Sequence, residues 1–177
     1  VLRPDVSRPI GGVKQMHRLA EAIQASGRQA TLIQDSADFH PGWFHSSVQT
    51  ISFVNWKLLR DKDLDPRHDV IVMPETFLHV IDEYSRGLPV VIFNQNGSYS
   101  FGPSVSNVLL KPSAAISRYR SASIAHVLCV SQYDYDLLSD WFMFDSGKVS
   151  CIRNGIEDSC FPFGKKRKQI AYMPRKS

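Results

Sequence analysis

DVIVMPETFLHVIDEYSRGLPVVIF, residues 69–93, holds two kinds of apolar patterning within one stretch. Asp69 to Met73 is a continuous apolar run closed by Pro74, and Leu88 to Phe93 is a second such run. Between them, Glu75 to Arg86 places Phe77, Leu78 and Ile81 on one helical face before Gly87 stops it. Strands that are apolar throughout belong to a sheet covered on both faces. A strand, a helix and a second strand joined by short connections form a βαβ unit with parallel neighbours.

The same alternation extends in both directions. Upstream, Gly12 to Ser26 carries Val13, Met16, Leu19, Ala20 and Ile23 on one helical face, and Gly27 occupies the left-handed cap position. Gln29 to Gln34 and Val48 to Val54 read as strands. Downstream, Ser113 to Arg120 is a short helix and Ala125 to Val130 a strand. Ser131 then offers a cap oxygen to a helix over Gln132 to Phe142, and Lys148 to Ile152 is a last strand. The sum is an α/β chain with a Rossmann-like, doubly wound parallel sheet. No internal repeat or low-complexity segment interrupts it.

Composition excludes several classes. A chain of 177 residues with 43% hydrophobic and 21% charged residues suits one soluble globular core. No apolar run reaches the roughly 20 residues of a membrane-spanning helix. Cys129, Cys151 and Cys160 match no zinc spacing; Cys129 and Cys151, inside apolar strand-like runs, read as buried free thiols, and reduced thiols fit the set. The net charge of +4 includes the run Lys165-Lys166-Arg167-Lys168, which reads as a solvated linker between domains, the alternative being contact with anionic lipid or nucleic acid. Without aromatic–basic interleaving or a nucleic-acid motif, no nucleic-acid partner is expected.

In open α/β sheets, ligands bind beyond the carboxyl ends of the strands where the strand order reverses. That rule selects the loops Arg3 to Gly12, Pro74-Glu75-Thr76, Asn94 to Tyr99 and Ser131-Gln132-Tyr133. Gly11 and Gly12 at a helix start let a sugar or phosphate reach unpaired backbone N–H groups, and the alternative is a tight turn. A third glycine at dinucleotide spacing is missing, so an NAD role is not expected. Glu75 is either a carboxylate for sugar hydroxyls or a first-turn acid favoured by the helix dipole. Asn94, Gln95 and Asn96 offer three successive amides, each both donor and acceptor, or plain turn chemistry. His17 reads as a partly buried helix residue. His40 and His45 in HPGWFH suggest a metal pair, but the spacing across Pro41-Gly42 and the lack of a clear third ligand argue against it, and no metal site is expected. Trp43 and Phe44 pack on the core, or else stack on an acceptor or dip into a membrane surface.

The order of these motifs resembles the N-terminal half of GT-B glycosyltransferases, particularly the retaining, family-four-like group. The likeness lies in Pro9-Ile10-Gly11-Gly12-Val13 opening a helix with Leu19-Ala20-Glu21-Ala22-Ile23. It continues in Val127-Leu128-Cys129-Val130-Ser131 and in the strand and turn Val149 to Ile156. The resemblance implies an acceptor-binding domain at 1–164, a basic linker at 165–168, and at 169–177 the first strand of a C-terminal donor-binding domain. It assigns Gly11, Gly12, Glu75, Asn94, Gln95 and Asn96 to the acceptor and Arg175 and Lys176 to the donor diphosphate. Pro174 stands where relatives usually carry Gly. The acceptor-loop histidine of many relatives has no counterpart between His79 and His126, so no catalytic residue is assigned.

The expected activity is transfer of a hexose-type sugar from a nucleotide-sugar co-substrate to a glycan or lipid-linked acceptor, with no further cofactor. Residues 1–177 alone are expected to be inactive. The alternatives are a stand-alone, non-catalytic sugar- or phosphate-binding module, or half of a nucleotide-sugar epimerase. The resemblance places the protein in the cytoplasm, peripheral to the inner membrane face.

Overall fold

The computed structural model of the chain describes residues 1–2, 4–59, 63–101, 111–155 and 164. The elements in chain order are α1 (Gly11–Ala25), β1 (Leu32–Gln34), β2 (Thr50–Ser52), α2 (Phe53–Leu58), β3 (Ile71–Pro74), α3 (Ile81–Ser85) and β4 (Val90–Asn94). Then follow α4 (Pro112–Tyr119), β5 (Ile124–Cys129), α5 (Gln132–Asp136) and β6 (Val149–Cys151). Tight 3-10 turns cover Glu75–Val80, Gly97–Ser100 and Ser146–Lys148.

Every ladder among the described residues is parallel. Strands β3, β4, β5 and β6 form a four-stranded sheet in that order, and β1 pairs with β2. Val1 and Leu2 lie between the two ladders. Leu2 N donates to Ile33 O at 2.8 Å, and Val1 N donates to Val72 O at 2.7 Å. Across the molecule the order therefore runs β2, β1, Val1–Leu2, β3, β4, β5, β6. The chain travels one way from Leu2 and the other way from β3, an order compatible with a Rossmann-like sheet.

One face of the four-stranded sheet is sealed. Ile71, Met73, Val90, Ile92, Val127 and Cys129 are buried beneath Phe77, Leu78, Tyr84, Tyr119 and Leu138. Helix α1 covers the other face, setting Met16 and Ala20 against Leu2, Leu32, Val48 and Phe93. Away from α1 that cover thins among the described residues. Val91, His126, Leu128 and Ser150 are only partly buried, with His126 Nε2 2.8 Å from Ser150 Oγ.

Local hydrogen bonding explains where the elements depart from apolar patterning. The run VQTISFV holds only the short strand Thr50–Ser52. Ser52 Oγ accepts from Asn55 N at 3.1 Å and starts α2, which turns Phe53 inward onto Tyr84 with ring centroids 4.5 Å apart. The single helix expected over Glu75 to Arg86 is a 3-10 turn followed by α3. Arg86 (φ 50°) and Gly87 (φ 81°) both turn left-handed at its end. The Arg86 guanidinium donates to Trp56 O and Leu59 O, each at 2.6 Å, and so closes the end of α2. After Asp136 the expected helix widens into a π-turn over Leu137–Trp141. Among the described residues no helix is long and apolar enough to cross a membrane. Cys160, the 165–168 linker and the expected strand at 169–177 lie outside the described residues.

Candidate functional site

The strand order reverses between Leu2 and β3, and three of the expected residues meet at the carboxyl end of that seam. Helix α1 begins there after Ile10, whose side chain provides no cap; Val13 N donates to Ile10 O at 3.1 Å, and the N–H groups of Gly11 and Gly12 remain open. The Gln95 side chain lies over that turn and donates through Nε2 to Gly12 O at 3.3 Å. A Cβ on Gly12 would sit 3.2 Å from Gln95 Oε1, whereas Gly11 has open space around it. A side chain at position 12 would press the 95 amide back by a few tenths of an ångström.

Glu75 follows β3 directly and is 3% exposed. Its Oε2 accepts from Gln95 N at 3.0 Å, tying the turn after β3 to the loop after β4. Burial pushes its carboxyl up to about 7, backbone N–H donors oppose that shift, and the negative charge of Asp134 adds to it. A carboxyl balanced near neutrality at this end of the sheet can hold or release a proton in ordinary conditions.

The three amides of the β4 loop take different environments. Asn94 is buried and turned to the core, its Nδ2 donating to Tyr119 OH at 2.8 Å, while its Oδ1 lacks a hydrogen bond among the described residues. Tyr119 OH also lies 2.8 Å from Ser100 Oγ. Gln95 bridges to α1 and Glu75 as above. Asn96 accepts from Ser98 N at 3.1 Å and caps the following turn.

A second buried carboxylate, not foreseen from the sequence, holds the far side of this loop. Asp134 Oδ1 accepts from Gly97 N at 2.7 Å, and its Oδ2 accepts from Ser131 Oγ at 2.6 Å. Ser131 Oγ in turn accepts from Asp134 N at 3.1 Å. The Ser131–Asp134 spacing is legible as a cap of α5; the reach of Asp134 across to another strand's loop is not. Gly97 fits so closely that a Cβ would lie 2.5 Å from Leu137 Cδ2.

His17 and the aromatic pair beside it make other contacts. His17 is fully buried in α1, 2.9 Å from Ser46 Oγ through Nδ1, and burial brings its pKa down to about 4. Phe44 packs edge-on against the His17 ring at 4.9 Å and Trp43 against Phe44 at 4.5 Å, so this aromatic pair belongs to the domain's own packing. Cys129 and Cys151 are free thiols facing each other in register on β5 and β6, and burial pushes Cys129 up to about 12. No group of three or more His, Cys, Asp or Glu side chains among the described residues is arranged to hold a metal ion. Arg175 and Lys176 lie outside the described residues. No protein-family model, curated protein sequence or solved structure matches the chain.

Proposed function

We propose that residues 1–177 are the acceptor-binding part of a nucleotide-sugar-dependent glycosyltransferase of GT-B architecture. The intact protein would transfer a hexose-type sugar to a glycan or lipid-linked acceptor. The observation that carries this reading is the meeting of Gly12, Glu75 and Gln95 at the point where the strand order reverses. An acceptor hydroxyl placed there would find the Gln95 side-chain amide and the open N–H groups of Gly11 and Gly12, while the buried Glu75 carboxyl holds the Gln95 backbone in place beneath them. The catalytic contribution of such a domain is positioning, which converts a two-body encounter into a pre-aligned one. Arg175 and Lys176 complete the reading as the cations for the departing diphosphate.

The same crevice would serve a non-catalytic sugar-binding module, and turnover separates the two. Residues 1–177 should bind acceptor saccharides without transferring sugar. The longer protein should release nucleoside diphosphate from a nucleotide-hexose only when the acceptor is present. Gln95→Ala should weaken acceptor binding by about tenfold, the loss of one good polar contact. Sugar transfer by residues 1–177 alone would sink the reading, as would acceptor binding indifferent to Gln95→Ala.

A further inference from the structure

Two tyrosines stand exposed at the carboxyl end of the sheet, on neighbouring strands' loops. Tyr99, in the turn after β4, is 57% exposed, and Tyr133, in the first turn of α5 after β5, is 72% exposed. Single exposed aromatics are ordinary. What distinguishes this pair is the rigidity of its mounting. Gly97 N donates to Asp134 Oδ1 at 2.7 Å, Asp134 Oδ2 accepts from Ser131 at 2.6 Å, and no space for a side chain is left at Gly97. The Tyr99 turn and the Tyr133 turn are therefore locked together through buried groups, while the two rings face water. Holding aromatic surface out of the core on a fixed frame costs burial that either ring could have gained, and it removes the ordering cost of binding. Asn96, Ser98 and Gln132 lie beside the rings in the chain; Asn96 Oδ1 accepts from Ser98 N and Oγ and Gln132 Nε2 donates to Asp136 Oδ1 at 2.7 Å, which leaves Asn96 Nδ2 and Gln132 Oε1 for a ligand.

We propose that Tyr99 and Tyr133 form a two-ring stacking rim for pyranose units of the acceptor, which makes the acceptor an oligosaccharide with at least two sugar residues. This inference rests on the acceptor-binding reading and deepens it. A pyranose presents an apolar C–H face, which stacks on a ring, and an edge of hydroxyls, which needs amides and hydroxyls alongside. A tyrosine meets both needs, with an apolar body and a polar tip. One ring suits one sugar. Two rings on separate locked turns suit successive units, with the reactive end lying toward Gln95 and Glu75.

The test is binding of residues 1–177 to glucose, galactose and mannose and to their α- and β-linked di- and trisaccharides, read by saturation-transfer NMR and titration calorimetry. Affinity should rise by tenfold or more from a monosaccharide to the matching disaccharide. Tyr99→Ala and Tyr133→Ala should each reduce disaccharide affinity about tenfold, leave monosaccharide affinity within twofold, and unfold at the wild-type urea midpoint. Trp141→Ala removes an equally exposed ring (79%) carried at the far end of the turn that follows α5, and it should change nothing. If disaccharide binding falls with Gln95→Ala but is untouched by both tyrosine changes, the rim is wrong and the acceptor reading stands. If the wild-type chain binds no saccharide of the panel, both fall together.

Discussion

Replacing Glu75 by glutamine should make the protein progressively more stable than the wild type as pH rises from 4.5 to 7, with the gain constant above that. The carboxyl titrates at about 7 in the folded chain against an ordinary 4.5, chiefly because it is buried. The unfolded chain releases that proton from pH 4.5 upward, while the fold keeps it until about 7. Stability is therefore full below 4.5 and is lost as pH rises through 7. A difference of about 2.5 pH units corresponds to at most about 3 kcal/mol. Glu75→Gln is neutral at every pH, and its amide oxygen can still accept from Gln95 N, so the loop contact survives. The variant-minus-wild-type stability should rise by up to about 3 kcal/mol between pH 4.5 and pH 8. Urea denaturation at half-unit pH steps measures it, with the His17 contribution common to both proteins and cancelling in the difference. A difference that stays flat across that range would refute the claim that Glu75 is held at a cost. A rise, accompanied by loss of acceptor binding, identifies Glu75 as a position where the protein gives up stability for its site.

Other perturbations test the surrounding frame. Gly97→Ala would press a methyl against Leu137 and Asp134 and should cost about 2 kcal/mol, seen as a lower urea midpoint, with a still larger loss of disaccharide affinity. Asp134→Ala leaves the buried Gly97 N–H without its acceptor and should cost about 2–3 kcal/mol, whereas Asp134→Asn should recover part of that loss. For His17, the fold holds the neutral ring at a pKa of about 4 against 6.5, so stability falls as pH drops from 6.5 to 4, and His17→Phe should flatten that acid limb in the same denaturation series. Arg86→Ala removes both guanidinium bonds to the end of α2 and should speed amide hydrogen exchange at Trp56 to Leu59 while β4 and β5 keep their protection.

The parts legible in the sequence are those where one physical signal acts alone. The strands β3, β4 and β5 are apolar runs with nothing competing, and each is found within two residues of its expected bounds. Helix α1 is bracketed by glycines, and Gly27 does adopt the left-handed conformation (φ 81°) expected of its stop. Helix α2 escaped because Phe53 and Val54 favour strand, and the cap that overrides them depends on one serine hydroxyl. The buried face of α1 includes His17, since packing from the loop carrying Phe44 closes over it, and that contact is non-local. For the site, the sheet rule named the loops that carry Gly12, Glu75 and Gln95, which the structure brings together. Which amide points where depended on distant partners, Tyr119 for Asn94 and Gly12 for Gln95, and no short-range pattern encodes those pairings.

The parallel pairing of the described strands also sets how this chain must fold. Each ladder joins residues well apart in sequence: Leu32 with Thr50, Ile71 with Val90, Val127 with Val149, and most distantly Val90 with Ile124. Among the described residues no tight hairpin nucleates the sheet, so loop-closure entropy is spent before any ladder hydrogen bond is gained. The Ile71–Val90 pairing closes a short loop around the apolar 3-10 turn and α3, and it is the natural nucleus. Strand β5 must then find β4 across the longest gap. Core substitutions at Met73 or Phe77 should slow refolding, whereas those at Val127 should mainly speed unfolding.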